Sequence, residues 1–247
     1  MAIHFAVSSW SGWTTGAADI SPSVNTAKVK PILVSQTPDV SIVPPLLRRR
    51  LNVMGRACVS EMLRHLQEGD NPAVVYGSRH GDIERTLAIL MEQARGEPIS
   101  PMNFSLAVHN AITGVISIHQ QISSNISSIA AGDEPLIPVL LEAAGLLSDT
   151  CPAILCVLCD VPLPEVYRDP LKQVPAPYVA CFRITRDQGL GEELWLDVNA
   201  VSEADGPART APLDFVEFLS SACEFFPTRH NGSHWTVRKS RRPAGSG

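Results

Sequence analysis

Apolar positions recur along this chain with two periods, and the switching between them predicts the fold. Leu47, Leu51, Met54, Cys58, Met62 and Leu66 fall at helical spacing beyond Pro44-Pro45 and predict a helix ending near Gly69. Ala73 to Tyr76 is an uninterrupted apolar run, as expected of a strand covered on both faces. After the turn Gly77-Ser78-Arg79-His80-Gly81, Asp82 is placed to cap a second helix, whose apolar face is Leu87, Leu90, Met91 and Ala94 and whose end is marked by Gly96 and Pro98. A helix from Asn103 to Gln120, a strand from Asn125 to Ile129, a helix from Glu134 to Leu147 and a buried strand from Ala153 to Leu158 follow. Val179 to Thr185 and Leu194 to Val198 are expected as an antiparallel pair around the turn at Gly189 to Gly191.

Strands alternating with helices of this length specify an α/β layer, with a mixed and mostly parallel sheet covered by helices on both faces. Ile3 to Ser9 reads as the first strand, leading into a loop through Trp10, Gly12, Trp13 and Gly16. Residues 17–43 show little periodicity and are expected as a surface excursion, and Val161 to Pro177 is a Pro-rich crossing. Beyond Trp235 apolar content runs out, which predicts one domain over 1–237 and a disordered basic tail over 238–247.

Composition narrows the function classes. Apolar residues at 45% and charged residues at 18% fit a globular chain, and a formal net charge of -5 argues against a nucleic-acid partner. No apolar run approaches the roughly 20 residues that span a bilayer, and the opening residues lack a basic start followed by an apolar block. The expectation is a cytoplasmic protein without membrane insertion. Cys58, Cys151, Cys156, Cys159, Cys181 and Cys223 lie mostly in apolar segments and read as reduced core thiols.

Candidate chemistry concentrates at strand ends. Ser78, Arg79, His80 and Asp82 follow a strand, where open α/β sheets place ligands, but a hydrolase elbow needs a nucleophile at the centre of its glycine pair and Arg79 stands there. His109 and Asn110 fall in an apolar helix and must be paired; the residues alone leave open whether they fix a loop or touch a ligand. His230 and His234 are four apart, yet Asn231-Gly232 between them makes a turn, so no metal site is expected. The segment Ser127 to Gly132 bends from strand to helix through small residues, as a turn displaying a nucleophile under a helix dipole would. At its centre stand Ile129 and Ala130, which cannot carry a covalent acyl group.

Three segments together, SRHGDIERTLAILMEQARGEPISPMNF, SLAVHNAITGVISI and SIAAGDEPLIPVLLEA, resemble the β-ketoacyl synthase-like N-terminal domain that accompanies aryl polyene and related fatty-acid or polyketide genes. The resemblance covers residues 44–160 well and extends more weakly to VSSWSGWTTG near the start. It implies a thiolase-like half, in which Gly132 matches the glycine three residues after the nucleophilic Cys and Ile129 takes the Cys position. Thr113 to Ile118 is similar to a T-G-x-I-S-I segment of chain-length factors, the inactive partners of type II ketosynthases. The second-half His motifs are absent.

By resemblance, the chain is expected to be catalytically silent by itself and to need no cofactor. It is expected to pair as a heterodimer with a complete β-ketoacyl-acyl carrier protein synthase through the strand Asn125 to Ile129. Phe104, Val108, His109, Asn110, Ile112 and Val115 on the preceding helix would then help to shape the partner's acyl pocket. Two other readings stay open. One is an acyltransferase or hydrolase using Ser78 or Ser128 with His80 or His109. The other is a scaffold recruiting acyl carrier protein through Arg48, Arg49 and Arg50.

Overall fold

Strand β1 (Ile3–Thr14) runs five residues further than its apolar pattern suggests, because it is paired on both sides in turn. Ile3 to Val7 pair with β7 (Leu194–Val201), and Ala6 to Thr14 pair with β6 (Tyr178–Thr185) across a register shift between Val7 and Ser9. Trp10, Gly12 and Trp13, expected in a loop, are therefore strand residues. The computed structural model describes residues 3–16, 32–130, 132–168, 176–186, 194–202, 208–209 and 211–240. The Gly189 to Gly191 turn and most of the expected excursion over 17–43 lie outside these. Within that excursion, β2 (Ile32–Val34) pairs in parallel with the end of β1.

Two predicted helices are each divided. The run from Leu47 to Leu66 forms α1 (Pro45–Arg50) and α2 (Val53–Arg64), because the Asn52 side chain accepts the Gly55 N–H at 2.8 Å and starts a new helix there. The expected helix over Asn103 to Gln120 forms α4 (Pro101–Ala107) and α5 (Ala111–Gln120), with His109 in the break between them. The remaining elements are β3 (Ala73–Gly77), α3 (Ile83–Ala94), β4 (Ile126–Ile129), α6 (Leu136–Leu146), β5 (Ala153–Asp160), α7 (Pro212–Ser220), β8 (Phe225–His230) and β9 (Ser233–Ser240). Asp82 caps α3 as expected, accepting from Arg85 N–H.

All the strands form one mixed sheet in the order β4-β3-β5-β6-β1-β7-β9-β8, with β2 beside β1. Among the described residues, parallel pairing is confined to β4–β3, β3–β5 and β1–β2; the strands from β6 onward pair antiparallel. The expected pairing of β6 with β7 is corrected, since β1 lies between them and takes an edge of each. The expected tail is corrected in part. Arg238, Lys239 and Ser240 are paired with β7 in strand β9, while 241–247 lie outside the described residues.

Helices cover both faces. On one, α6 and α7 pack Leu140, Phe215 and Phe218 against Phe182 and Phe226; on the other, α2 and α5 pack Met62 and Ile116 against Trp13 and Tyr76. Successive residues of β5 alternate between the two layers, so Cys156 enters one and Cys159 the other, and the C-x-x-C pair cannot form a single site. Cys58, Cys156, Cys159 and Cys181 are buried free thiols, whereas Cys151 is half-buried and Cys223 exposed.

One polar cluster is sealed beneath α2. Ser11 donates to the Glu61 carboxylate and lies 2.8 Å from His65 Nε2, while His65 Nδ1 is 2.8 Å from Ser9 Oγ. Burial, with Arg183 and Arg64 close by, lowers the His65 pKa from 6.5 to about 4. Unfolded chains then bind more protons than folded ones as pH falls below about 6.5, and stability drops by about 2 kcal/mol by pH 5 through this residue. Burial holds Glu61 above its ordinary range, which acts in the opposite sense on acidification. Urea unfolding at pH 7 and pH 5 is expected to show His65→Gln losing less stability than the parent protein across that window; equal losses would show that His65 is not the group being titrated.

Candidate functional site

The parallel strands β4, β3 and β5 end together, and the polar residues just beyond them form one connected cluster. Asp160 closes an otherwise apolar strand, and its Oδ1 accepts from Ser78 Oγ at 3.0 Å and from the Arg79 N–H at 2.8 Å. Its Oδ2 accepts from Tyr178 Oη at 3.3 Å. Burial pushes the Asp160 carboxyl above the ordinary range, partly offset by these three hydrogen bonds and by nearby His80. Tyr178 is pushed well upward by burial and by the carboxylate it faces.

Ser78 is itself buried, and its Oγ accepts the Gly81 N–H at 2.9 Å, which shapes the turn leading into α3. Gly81 has φ +60°, and a Cβ there would meet His109 Cα at 3.3 Å. His109 reaches over this turn to Ser78 O at 2.8 Å. A carbonyl can only accept, so Nε2 carries the proton. The His109 ring also stands edge-on to Tyr76, centroids 5.6 Å apart. His109 thus fixes a neighbouring loop, one of the two roles that its sequence position allowed.

The Ser78 hydroxyl donates to Asp160, His109 meets the Ser78 carbonyl instead of its Oγ, and His80 is exposed, so neither imidazole proposed as its base is bonded to that hydroxyl. Ser128 is exposed on β4, while the adjacent Ser127 donates to Glu142 at 2.6 Å.

Ile129 ends β4, half-buried against the core on the α6 side, and its carbonyl accepts the Ser78 N–H at 3.1 Å. The turn after it is fastened from two directions. Asp133 is ion-paired with Arg79. Glu134 accepts from Arg229 Nε at 2.5 Å and from the Asn231 N–H at 3.0 Å, and its carbonyl accepts from His230 Nδ1 at 3.0 Å. His230 and His234 belong to the β8–β9 hairpin, whose turn residues Asn231 and Gly232 both have positive φ.

The residues expected to face a partner divide into two groups. Phe104 is 59% exposed and Val108 42% exposed, and Asn110 is exposed at the start of α5. Ile112 is buried, and Val115 packs beside it, in this chain's own core against α2. Asn125 is exposed and its carbonyl accepts the Val74 N–H at 2.9 Å. Strand β4 pairs only with β3 among the described residues, so its other edge is open.

Among the described residues no group of three or more His, Cys, Asp or Glu is placed to hold a metal ion, and no helix is long and apolar enough to cross a membrane. Asp160 and the hairpin are the parts that sequence reasoning missed. The available signals were a lone carboxylate ending the run AILCVLCD and an Asn-Gly turn between alternating residues.

No curated protein matches the chain significantly. Among solved structures, its fold is similar to a chain of the ketosynthase ApeO in complex with its chain length factor ApeC from Xenorhabdus doucetiae, with TM-score 0.73 and 24% identity over 95% of this chain and 99% of that one. It is also similar to a chain of AntDE:AntF, a type II PKS acyl-carrier protein in complex with its ketosynthase bound to the hexaketide, with TM-score 0.59 and 14% identity over 84% of this chain and 88% of that one. Both likenesses are of the thiolase-like ketosynthase fold. A family model described as beta-ketoacyl synthase, N-terminal domain, matches residues 10–241, nearly the whole of the sheet and its covering helices, and the chain belongs to that family.

Proposed function

We propose that this chain is a catalytically silent ketosynthase-like domain. In this reading it pairs with a complete β-ketoacyl-acyl carrier protein synthase and helps to shape that enzyme's acyl pocket, in fatty-acid or polyketide synthesis of the aryl polyene type. The observation that carries the reading is the end of β4. Ile129 stands where the resemblance places the nucleophile, and Ser78, whose N–H bonds to the Ile129 carbonyl, is buried with its hydroxyl bonded to Asp160.

The open edge of β4 supplies the means of pairing, since backbone groups on such an edge gain partners by adding a strand. Phe104 and Val108 supply exposed apolar surface for the pocket wall; Ile112 is assigned to the chain's own core. Acyl carrier protein is the further partner, with exposed Arg49 and Arg50 at the end of α1 suited to an acidic surface.

Co-expression with a ketosynthase from the same gene neighbourhood tests this. Size-exclusion chromatography with mass measurement is expected to give a heterodimer, and the chain alone is expected to turn over no acyl thioester. Phe104→Ala, which removes an exposed side chain, is expected to leave the heterodimer intact and move the product distribution toward longer chains. Turnover by the isolated chain, or no association at micromolar concentration, would overturn the reading.

A further inference from the structure

The α4 helix and the break that follows it present Phe104 and Val108, yet none of the seven residues of α4 is buried. Only Asn103, Leu106 and Ala107 are half-buried, so packing against α3 and α5 holds this helix weakly. Its C-terminal end is further attached through His109, and the attachment leads inward by a short series of hydrogen bonds. His109 Nε2 donates to Ser78 O, Ser78 Oγ donates to Asp160, and Asp160 also takes the Arg79 N–H. The Arg79 side chain goes on to Asp133, in the turn after β4.

We propose that Asp160 is a positioning residue that holds the two parts of the partner-facing surface, the α4–α5 break and the turn after β4, in fixed relation and thereby sets which acyl chain lengths the heterodimer makes. This rests on the pairing reading above. Three features of the geometry support it. Asp160 Oδ1 receives donors from two consecutive residues, so the carboxylate fixes the direction of the chain at Ser78-Arg79 and not merely one side chain. Gly81, with its positive φ, lets that turn fold under His109 where a Cβ would crowd it. The Ser78 hydroxyl both donates to the carboxylate and accepts the Gly81 N–H, so loss of Asp160 frees the hydroxyl to rotate and loosens both ends of the turn.

The test compares Asp160→Ala with Asp160→Asn. The asparagine amide oxygen can still accept from Ser78 and Arg79; alanine can accept from neither. In the chain alone, amide hydrogen exchange at Ser78 to Gly81 and at Val108 to Asn110 is expected to rise about tenfold or more in Asp160→Ala and to stay within about threefold in Asp160→Asn, with α2 unchanged in both. In the heterodimer, both variants are expected to assemble at the wild-type mass, while Asp160→Ala lowers the share of the main product by about threefold and Asp160→Asn retains it.

Unchanged exchange in Asp160→Ala, equal behaviour of the two variants, or an unaltered product distribution from an intact Asp160→Ala heterodimer would each overturn the proposal. If wild-type chain fails to pair while the exchange results hold, the pairing reading falls and with it the link to product length. Should Asp160→Ala not fold, His109→Leu cuts the same series at its outer end and is expected to raise exchange at Val108 to Asn110 and alter the products likewise; no change in either would sink the idea.

Discussion

Replacing Ser128 with proline is expected to separate the chain from the ketosynthase partner proposed above while leaving the chain itself folded. The register shows why this position divides the two effects. Val74 N–H bonds to Asn125 O and Ser78 N–H to Ile129 O, with Tyr76 opposite Ser128 in a parallel ladder. Polar groups of a parallel strand point to alternate sides, so Asn125, Ser127 and Ile129 face β3, and the N–H and C=O of Ile126 and Ser128 face the open edge. Proline at 128 therefore removes an outward donor and places its ring there, but breaks no bond to β3.

Within the heterodimer, the partner carbonyl left without its donor and the displaced strand together cost about 2 to 4 kcal/mol, a rise in Kd of roughly 30- to 1,000-fold. Thermal unfolding of the free chain should move by only a few degrees. Sedimentation of the mixed proteins would decide it: a Ser128→Pro chain that still associates at wild-type affinity would show that β4 is not the interface.

The largest loss of stability is expected from Phe215→Ala. Phe215 is fully buried on α7 and packs against three other rings, Phe182 at 5.2 Å and 69°, Phe226 at 5.6 Å and 72°, and Phe218 at 6.1 Å and 30°. Removing it deletes the centre of this group and leaves a void that the strands β6 and β8 and the rest of α7 cannot collapse to fill. The expected loss is about 3 to 5 kcal/mol, or roughly 6 to 20 °C in Tm for a chain of this size. The effect extends to function through α7, which with α6 covers the face of the sheet carrying Ile129. A loss under 1 kcal/mol in urea unfolding would mean that α7 is not part of the cooperative core.

The sequence made visible whatever is decided locally. Asp82 announced its helix because an N-cap acts within four residues, and the uninterrupted apolar runs of β3 and β5 marked strands covered on both faces. Asn52 and His109 were harder to place, because each sits in a helical apolar period that continues across it, and only their side-chain bonds show the interruption. The order β6-β1-β7 was not legible: two adjacent strands joined by a Gly-containing turn suit a hairpin, and only the edges offered by β1, more than 160 residues earlier, decide otherwise. For the site, that Ile129 and Ala130 cannot carry a covalent acyl group could be read directly, since it depends on residue type. The role of Asp160 could not, because it depends on three strands ending side by side.

The Glu134 contacts carry a consequence for how the molecule is made. Arg229, its ion-pair partner, lies 95 residues downstream. At ribosomal rates of about 5 to 20 residues per second, the β4 turn emerges roughly 5 to 19 seconds before the group that fastens it exists. Throughout that interval a nascent polypeptide carries an unfastened bend beside an unpaired strand edge, the combination that invites capture by the wrong neighbour. Early pairing of that edge, with the ketosynthase proposed above or with a chaperone, would shield it during synthesis.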